Sequence, residues 1–172
     1  GTTPSYSYES SYGYQTVPEN ALGRTYDYAN MLKNYSSGYT QMQGAAVAAL
    51  MKDMGTSVQM AYGPEGSGAI SEHLPNAMAT YFFYSKDSYS VNADGFDDRG
   101  WVEAIQNNLT QYGPTIVSGI GQSGGHAFIA DGYTDNGYIS FNFGWCGYSN
   151  GFYLLPSIAY NREQSAIFAL EP

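Results

Sequence analysis

At 172 residues the chain has the length of one domain able to bury about two-thirds of its unfolded surface, and 15 acidic against 6 basic side chains leave a formal charge of −9 that repels phosphate backbones and anionic membranes. No apolar run approaches the ~18 to 20 residues of a membrane span, and the opening "GTTPSYSYES" lacks the charged-then-apolar order of a signal peptide. Neither nucleic acid nor a membrane is therefore expected as a partner, and one cysteine, Cys146, excludes an intrachain disulfide framework while leaving the compartment open.

In chain order, residues 1–40 hold eight of the 18 tyrosines, interleaved with Ser, Gly and Pro. They read as an irregular segment with a short helical stretch over Asp27–Lys33, whose phenols, apolar with a polar tip, are expected to pack. "TQMQGAAVAALMKDMG" then places Met42, Ala45, Ala46, Ala49, Leu50 and Met54 at helical spacing, with Thr40 as N-cap, Gln43 as its third-position partner and Gly55 as terminator. The Met and Ala stripe is expected to be core. "SVQMAYGP" alternates as a short strand running into a turn. A second helix starts at Ser67 or Ser71 with Pro75 in its first turns, and a third, "DDRGWVEAIQNNLTQYG", sets Trp101, Ile105 and Leu109 on one face and stops at Gly113-Pro114.

After Pro114 the apolar period becomes two. "TIVSGI", "HAFIADGY", "YISFNF", "GFYLLP" and "QSAIFALE" arrive at hairpin spacing, joined by turns such as "TDNG" and "YSNG". Helices first and a meandering antiparallel sheet second is the α+β pattern, a helical layer against a curved sheet. Residues 1–172 are expected to form a single domain: an irregular opening over 1–40, a helical part over 41–113 and a sheet over 114–172.

The chemistry concentrates in that sheet. With His126 opening the "HAFIADGY" strand and "YISFN" returning beside it, Asn142 is expected against the imidazole, its carboxamide accepting from one ring nitrogen and fixing tautomer and orientation. Trp145 would cover that hydrogen bond from water, and Gly124 and Gly125 would let a substrate backbone approach. A lone histidine at a strand start is more often a satisfied core or surface group; the combination argues otherwise. His73, with scattered acids around it, makes no metal site, and "DNG" and "DGFDDRG" lack EF-hand spacing, so neither metal nor cofactor is expected.

The runs "GGHAFIADGY" and "FNFGWCGYSNGFYLL", with "LMKDMGTSVQMAYGPEGSGA" upstream and "QSAIFALEP" at the end, resemble the streptopain family of papain-fold cysteine peptidases over about residues 41–172. The resemblance implies a papain-like α+β fold without its Cys-bearing first helix, and a cysteine endopeptidase acting on peptide or protein substrates. It implies His126 as general base, Asn142 in the orienting position and Trp145 as a shield. Ser67 and Gly68 fall where a cleft loop contacts substrate, Gly125 offers a carbonyl, and Ile120 lines the apolar specificity pocket. Secretion is likewise implied by the family alone.

The departures define the alternatives. The family nucleophile is a cysteine opening a long N-terminal helix and preceded by a glutamine, and neither is found in this sequence; Phe143 stands where the family has Trp, and Cys146 where it has Gly. Three readings follow. The thiol lies outside this chain, carried by a separate N-terminal chain or missing; or Cys146 has replaced it, although nothing in a Trp-Cys-Gly turn promises a helix dipole to activate it; or the chain is a non-catalytic, Tyr-rich binding or adhesive module on a degenerate protease scaffold. The first is the expectation, and with it an isolated chain that does not hydrolyse peptides.

Overall fold

Ser and Tyr alternate along the first strands of the chain, and in the computed structural model, which describes residues 1–172, that alternation builds a hairpin instead of an irregular arm. Strand β1 (Thr2–Thr3) pairs with β4 (Asn20–Ala21), and between them β2 (Tyr6–Ser10) and β3 (Gly13–Val17) run antiparallel, Tyr6 opposite Val17 and Ser10 opposite Gly13. Gly13, at φ 90°, supplies the left-handed residue of the tight turn. Tyr6 and Tyr8 donate their hydroxyls to the carbonyls of Met60 and Tyr62, at 2.8 and 3.0 Å. The packing expected of the tyrosines holds for these, whereas Tyr12 and Tyr14 at the hairpin end are exposed. Of the helical stretch expected over Asp27–Lys33, one 3-10 turn forms, Tyr28–Asn30, with Asp27 capping it.

These strands belong to the first of two compact units, Gly1–Phe83; the second is Tyr84–Pro172. In the first, helix α1 (Gln41–Ser57) begins at the capping box the sequence predicts: Thr40 accepts from the Gln43 amide while Gln43 accepts from the Thr40 amide. Gly55 does not end it. A Cβ there would collide with the Tyr62 hydroxyl, so the glycine permits a close approach and the helix runs on to Ser57. The Met and Ala stripe is also less buried than expected, with Met42 exposed and Met54 half-buried; the buried positions of the helix are Asp53, Gly55 and Thr56.

Asp53 has 0% exposure and would be costly unpaired. Asn20 Nδ2 donates to it at 2.8 Å, Tyr26 Oη at 2.9 Å and Arg24 Nε at 2.8 Å. Three residues of the opening segment are thereby tied to one turn of α1. The strand expected over residues 57–64 reduces to one bridge, Ala61 opposite Gly68, because Gln59 takes a left-handed φ of 55° and breaks the alternation. Helix α2 (Leu74–Tyr81) follows a 3-10 turn at Ser71–His73, which fixes Ser71 as the start and leaves Pro75 where its missing N–H does no harm.

The second unit holds the sheet. Strand β5 (Tyr89–Asn92), not anticipated from sequence, is followed by helix α3 (Asp98–Tyr112), capped by Asp97 and stopped by Gly113 at φ 83°. Then come β6 (Thr115–Gly121), β7 (Gly124–Tyr133), β8 (Ile139–Asn142), β9 (Gly151–Tyr153) and β10 (Arg162–Phe168). The spatial order is β5-β10-β6-β7-β8-β9, every neighbour antiparallel. A four-strand meander is thus closed on one side by the C-terminal strand. Helix α3 lays Trp101, Ile105 and Leu109 on its inner face, in one core with Val117, Phe128, Ile139, Phe141 and Phe168. Burying each large side chain stabilises by about 1.5 to 3 kcal/mol. The indole of Trp101 donates to Gln164 Oε1 at 2.8 Å, so this core also carries a satisfied polar link.

Candidate active site

Strand β7 starts two residues earlier than its apolar run suggests. Gly121 pairs with Gly124 across the turn at Gln122–Ser123, and Gly124 takes φ 112°, so His126 is the third residue of the strand and lies opposite Gly119. The pleat then decides where the imidazole goes. His126 shares its face with Phe128 and Ala130, both buried, and enters the edge of the aromatic core.

The same pleat overturns the expected pairing with Asn142. In the β7–β8 register Asn142 is opposite Ile129, an odd-numbered position whose side chain leaves the other face of the sheet. What reaches the imidazole is the next residue's backbone: His126 Nε2 lies 2.9 Å from the Phe143 carbonyl oxygen. A carbonyl only accepts, so Nε2 carries the proton and Nδ1 is left as the free ring nitrogen. Asn142 acts on the same peptide from its other end. Its Oδ1 accepts the Gly144 N–H at 2.9 Å, the amide of the very unit whose carbonyl holds His126. Asn150 Oδ1 accepts the Phe143 N–H at 3.0 Å and anchors the preceding peptide. Hydrogen bonds at both ends of one peptide polarise it, so Asn142 reinforces the acceptor without touching the ring.

Aromatic rings enclose the imidazole. Trp145 stacks at 4.8 Å between centroids with 20° between planes, Tyr160 stands at 5.0 Å and 44°, and Phe128 and Phe143 lie at 5.9 and 6.5 Å. Trp145 thus stacks on the imidazole while remaining 40% exposed itself, and the His126–Asn142 hydrogen bond it was expected to cover does not form. An imidazolium formed here would face π-systems that favour a cation.

Cys146 follows Trp145 on the exposed turn, at a left-handed φ of 53°, and the hydrogen bond of the imidazole goes to Phe143 instead. No helix N-terminus adjoins it, since the turn between β8 and β9 contains no helix. Ile120 and Gly125 pair with each other beside His126, Ile120 half-buried on the face opposite the imidazole. Ser67 and Gly68 lie in the first unit: Ser67 Oγ accepts from the Gly63 amide at 3.4 Å, and Gly68 exchanges both backbone hydrogen bonds with Ala61. Sequence reasoning missed the Phe143 carbonyl, Asn150 and Tyr160. For Tyr160 a signal existed, since the alternate glycines Gly119 and Gly121 on an otherwise apolar strand mark a close approach.

The site thus gathers a half-buried imidazole on an antiparallel sheet, its Nε2 held by a backbone acceptor and one ring face stacked by a tryptophan. The chain belongs to the Peptidase C10 family, whose model matches residues 1–153. Streptopain of Streptococcus pyogenes is 31% identical over 183 residues, covering 97% of this chain and 46% of that protein. The thiol protease/hemagglutinin PrtT of Porphyromonas gingivalis is 29% identical over 177 residues, 96% of this chain and 20% of that protein. The structure of active interpain A cysteine protease from Prevotella intermedia superposes with a TM-score of 0.78 at 32% identity, covering 96% of this chain and 74% of that one. The fold is papain-like, and the chain spans about half the length of the streptopains it matches or less.

Proposed function

We propose that the chain is the histidine-bearing part of a secreted endopeptidase of the streptopain kind, its nucleophilic thiolate supplied by a segment outside residues 1–172. The observation that carries this reading is the bond from Nε2 to the Phe143 carbonyl, which engages that nitrogen as a donor and leaves Nδ1 as the ring nitrogen available to act as the base. Peptide hydrolysis then follows once that thiol stands beside His126. Nδ1 takes the thiol proton; the thiolate adds to the scissile carbonyl; the imidazolium returns the proton to the departing amine as the C–N bond breaks; and a water, deprotonated by the same nitrogen, releases the acid from the thioester. The Phe143 carbonyl, backed by Asn142 and Asn150, holds the ring through both transfers, and Trp145 excludes water from its face. Gly125, Ile120, Ser67 and Gly68 keep their substrate-contacting roles from the family resemblance.

Cys146 is assigned no part. It is exposed, on a turn that contains no helix, and the hydrogen bond of the imidazole goes to the Phe143 carbonyl instead. The isolated chain is therefore inactive in this account, and a peptide-hydrolysis assay on purified chain tests it. Turnover abolished by Cys146→Ser would overturn the assignment, and absence of turnover is the expected result.

A further inference from the structure

Tyr160 precedes β10 and is 9% exposed, yet its ring lies 5.0 Å from that of His126. Trp145 covers one face of the imidazole at 4.8 Å. The Trp145 and Tyr160 centroids are only 6.2 Å apart, too close for the two to sit on opposite faces, so Tyr160 closes a second direction around the ring. This matters because a single stacked surface opposes the imidazole only on its own side and leaves the ring free to swing away from Trp145 and flip about χ2, a broad sp³–sp² rotor. A second wall, set across the first, stops that rotation.

The surroundings are arranged to admit this tyrosine. A Cβ on Gly119 would collide with the Tyr160 carbonyl, and one on Gly121 would stand 3.0 Å from Tyr160 Cδ1 and 2.6 Å from the Ala159 carbonyl. Buried Gln164 donates to the Tyr160 carbonyl at 3.0 Å while accepting from the Trp101 indole at 2.8 Å, and Arg162 donates to the Gly121 carbonyl at 2.8 Å. The backbone that carries the ring is thus tied to both α3 and β6.

We propose that Tyr160 is a positioning residue for His126: its ring holds the imidazole in the rotamer that sends Nε2–H to the Phe143 carbonyl and keeps Nδ1 as the free nitrogen. The inference rests on the reading of His126 as the general base. It is tested on the isolated chain, with His73→Gln leaving one histidine, by ¹⁵N–¹H correlation spectra of the imidazole nitrogens and exchange of the ring proton with water. The starting chain and Tyr160→Phe are expected to show one Nε2–H tautomer. Tyr160→Ala, and Gly121→Ala, which leaves the tyrosine intact but displaces it, are expected to show averaged nitrogen shifts and ring-proton exchange faster by roughly fivefold. Gly121→Ala alone carries the test if Tyr160→Ala unfolds. A single, equally protected tautomer in the folded variants would overturn the inference and leave the base reading standing. Mixed tautomers in the starting chain would overturn both.

Discussion

Replacing Asn142 by alanine separates an orienting role exercised through a peptide from one exercised by direct contact. In the structure the carboxamide accepts the Gly144 N–H at 2.9 Å, and the imidazole is held by the Phe143 carbonyl at 2.9 Å. Asn142→Ala therefore removes one neutral hydrogen bond from an exposed turn where water can take over the Gly144 amide, a net loss of about 0.5 to 1 kcal/mol. The acceptor of His126 survives. If the carboxamide itself held the ring, its loss would strand a half-buried Nε2–H among aromatic rings at about 1 to 3 kcal/mol and release the tautomer. Urea denaturation reads the first quantity, and the imidazole ¹⁵N–¹H spectrum in a His73→Gln background reads the tautomer. The expected pair of results is a small fall in stability with the Nε2–H form intact. Appearance of the Nδ1–H tautomer in Asn142→Ala would refute the reasoning.

Further expectations concern the first unit and its hydroxyls. Asp53→Ala leaves buried Asn20 and half-buried Tyr26 without their acceptor, while Arg24, 43% exposed, turns to solvent. The substitution is expected to cost about 1 to 3 kcal/mol, read as a lowered denaturant midpoint; an unchanged midpoint would mean that the network holds nothing together. Burial, with neighbouring Tyr62 adding to it, pushes the Tyr6 phenol up to about 12, and burial with the Asp53 hydrogen bond does the same for Tyr26. Both are neutral in the folded state over a range where the unfolded chain ionises. Their contribution to stability is therefore complete below pH 10 and is lost as the pH rises toward about 12. Alkaline unfolding followed by tyrosinate absorbance checks this: Tyr6→Phe and Tyr26→Phe should each flatten the decline over that window, and curves superposing on the parent would count against it.

Where a residue's neighbours in sequence decide its structure, the sequence was readable. The Thr40–Gln43 capping box, the Asp97 start and Gly113 stop of α3, the Trp101, Ile105 and Leu109 face and the five strands after Pro114 all depend on local chemistry and period. The misses are tertiary. Gly55 resembles a helix stop in one dimension and proves to be a contact point for Tyr62, which only the fold brings near. β5 is too short to announce itself and exists because the returning β10 offers it an edge. The Asn142 error is one of register: hairpin geometry brought the right strand back, but a shift of one residue sends the carboxamide through the other face and leaves a backbone carbonyl, invisible to any motif, to hold the histidine. Asp53 sat unremarked in a helix pattern, since nothing local says that three residues of the opening segment converge on it.

The central claim, that His126 serves a thiol other than Cys146, is tested most directly by labelling native material with a cysteine-reactive haloacetamide at neutral pH and mapping the label by mass spectrometry. The account predicts rapid, His126-dependent labelling of a cysteine on a segment outside residues 1–172, with Cys146 reacting only at the pace of an ordinary exposed thiol and equally in His126→Ala. Fast labelling of Cys146 that slows in His126→Ala, with peptide hydrolysis lost in step, would contradict it.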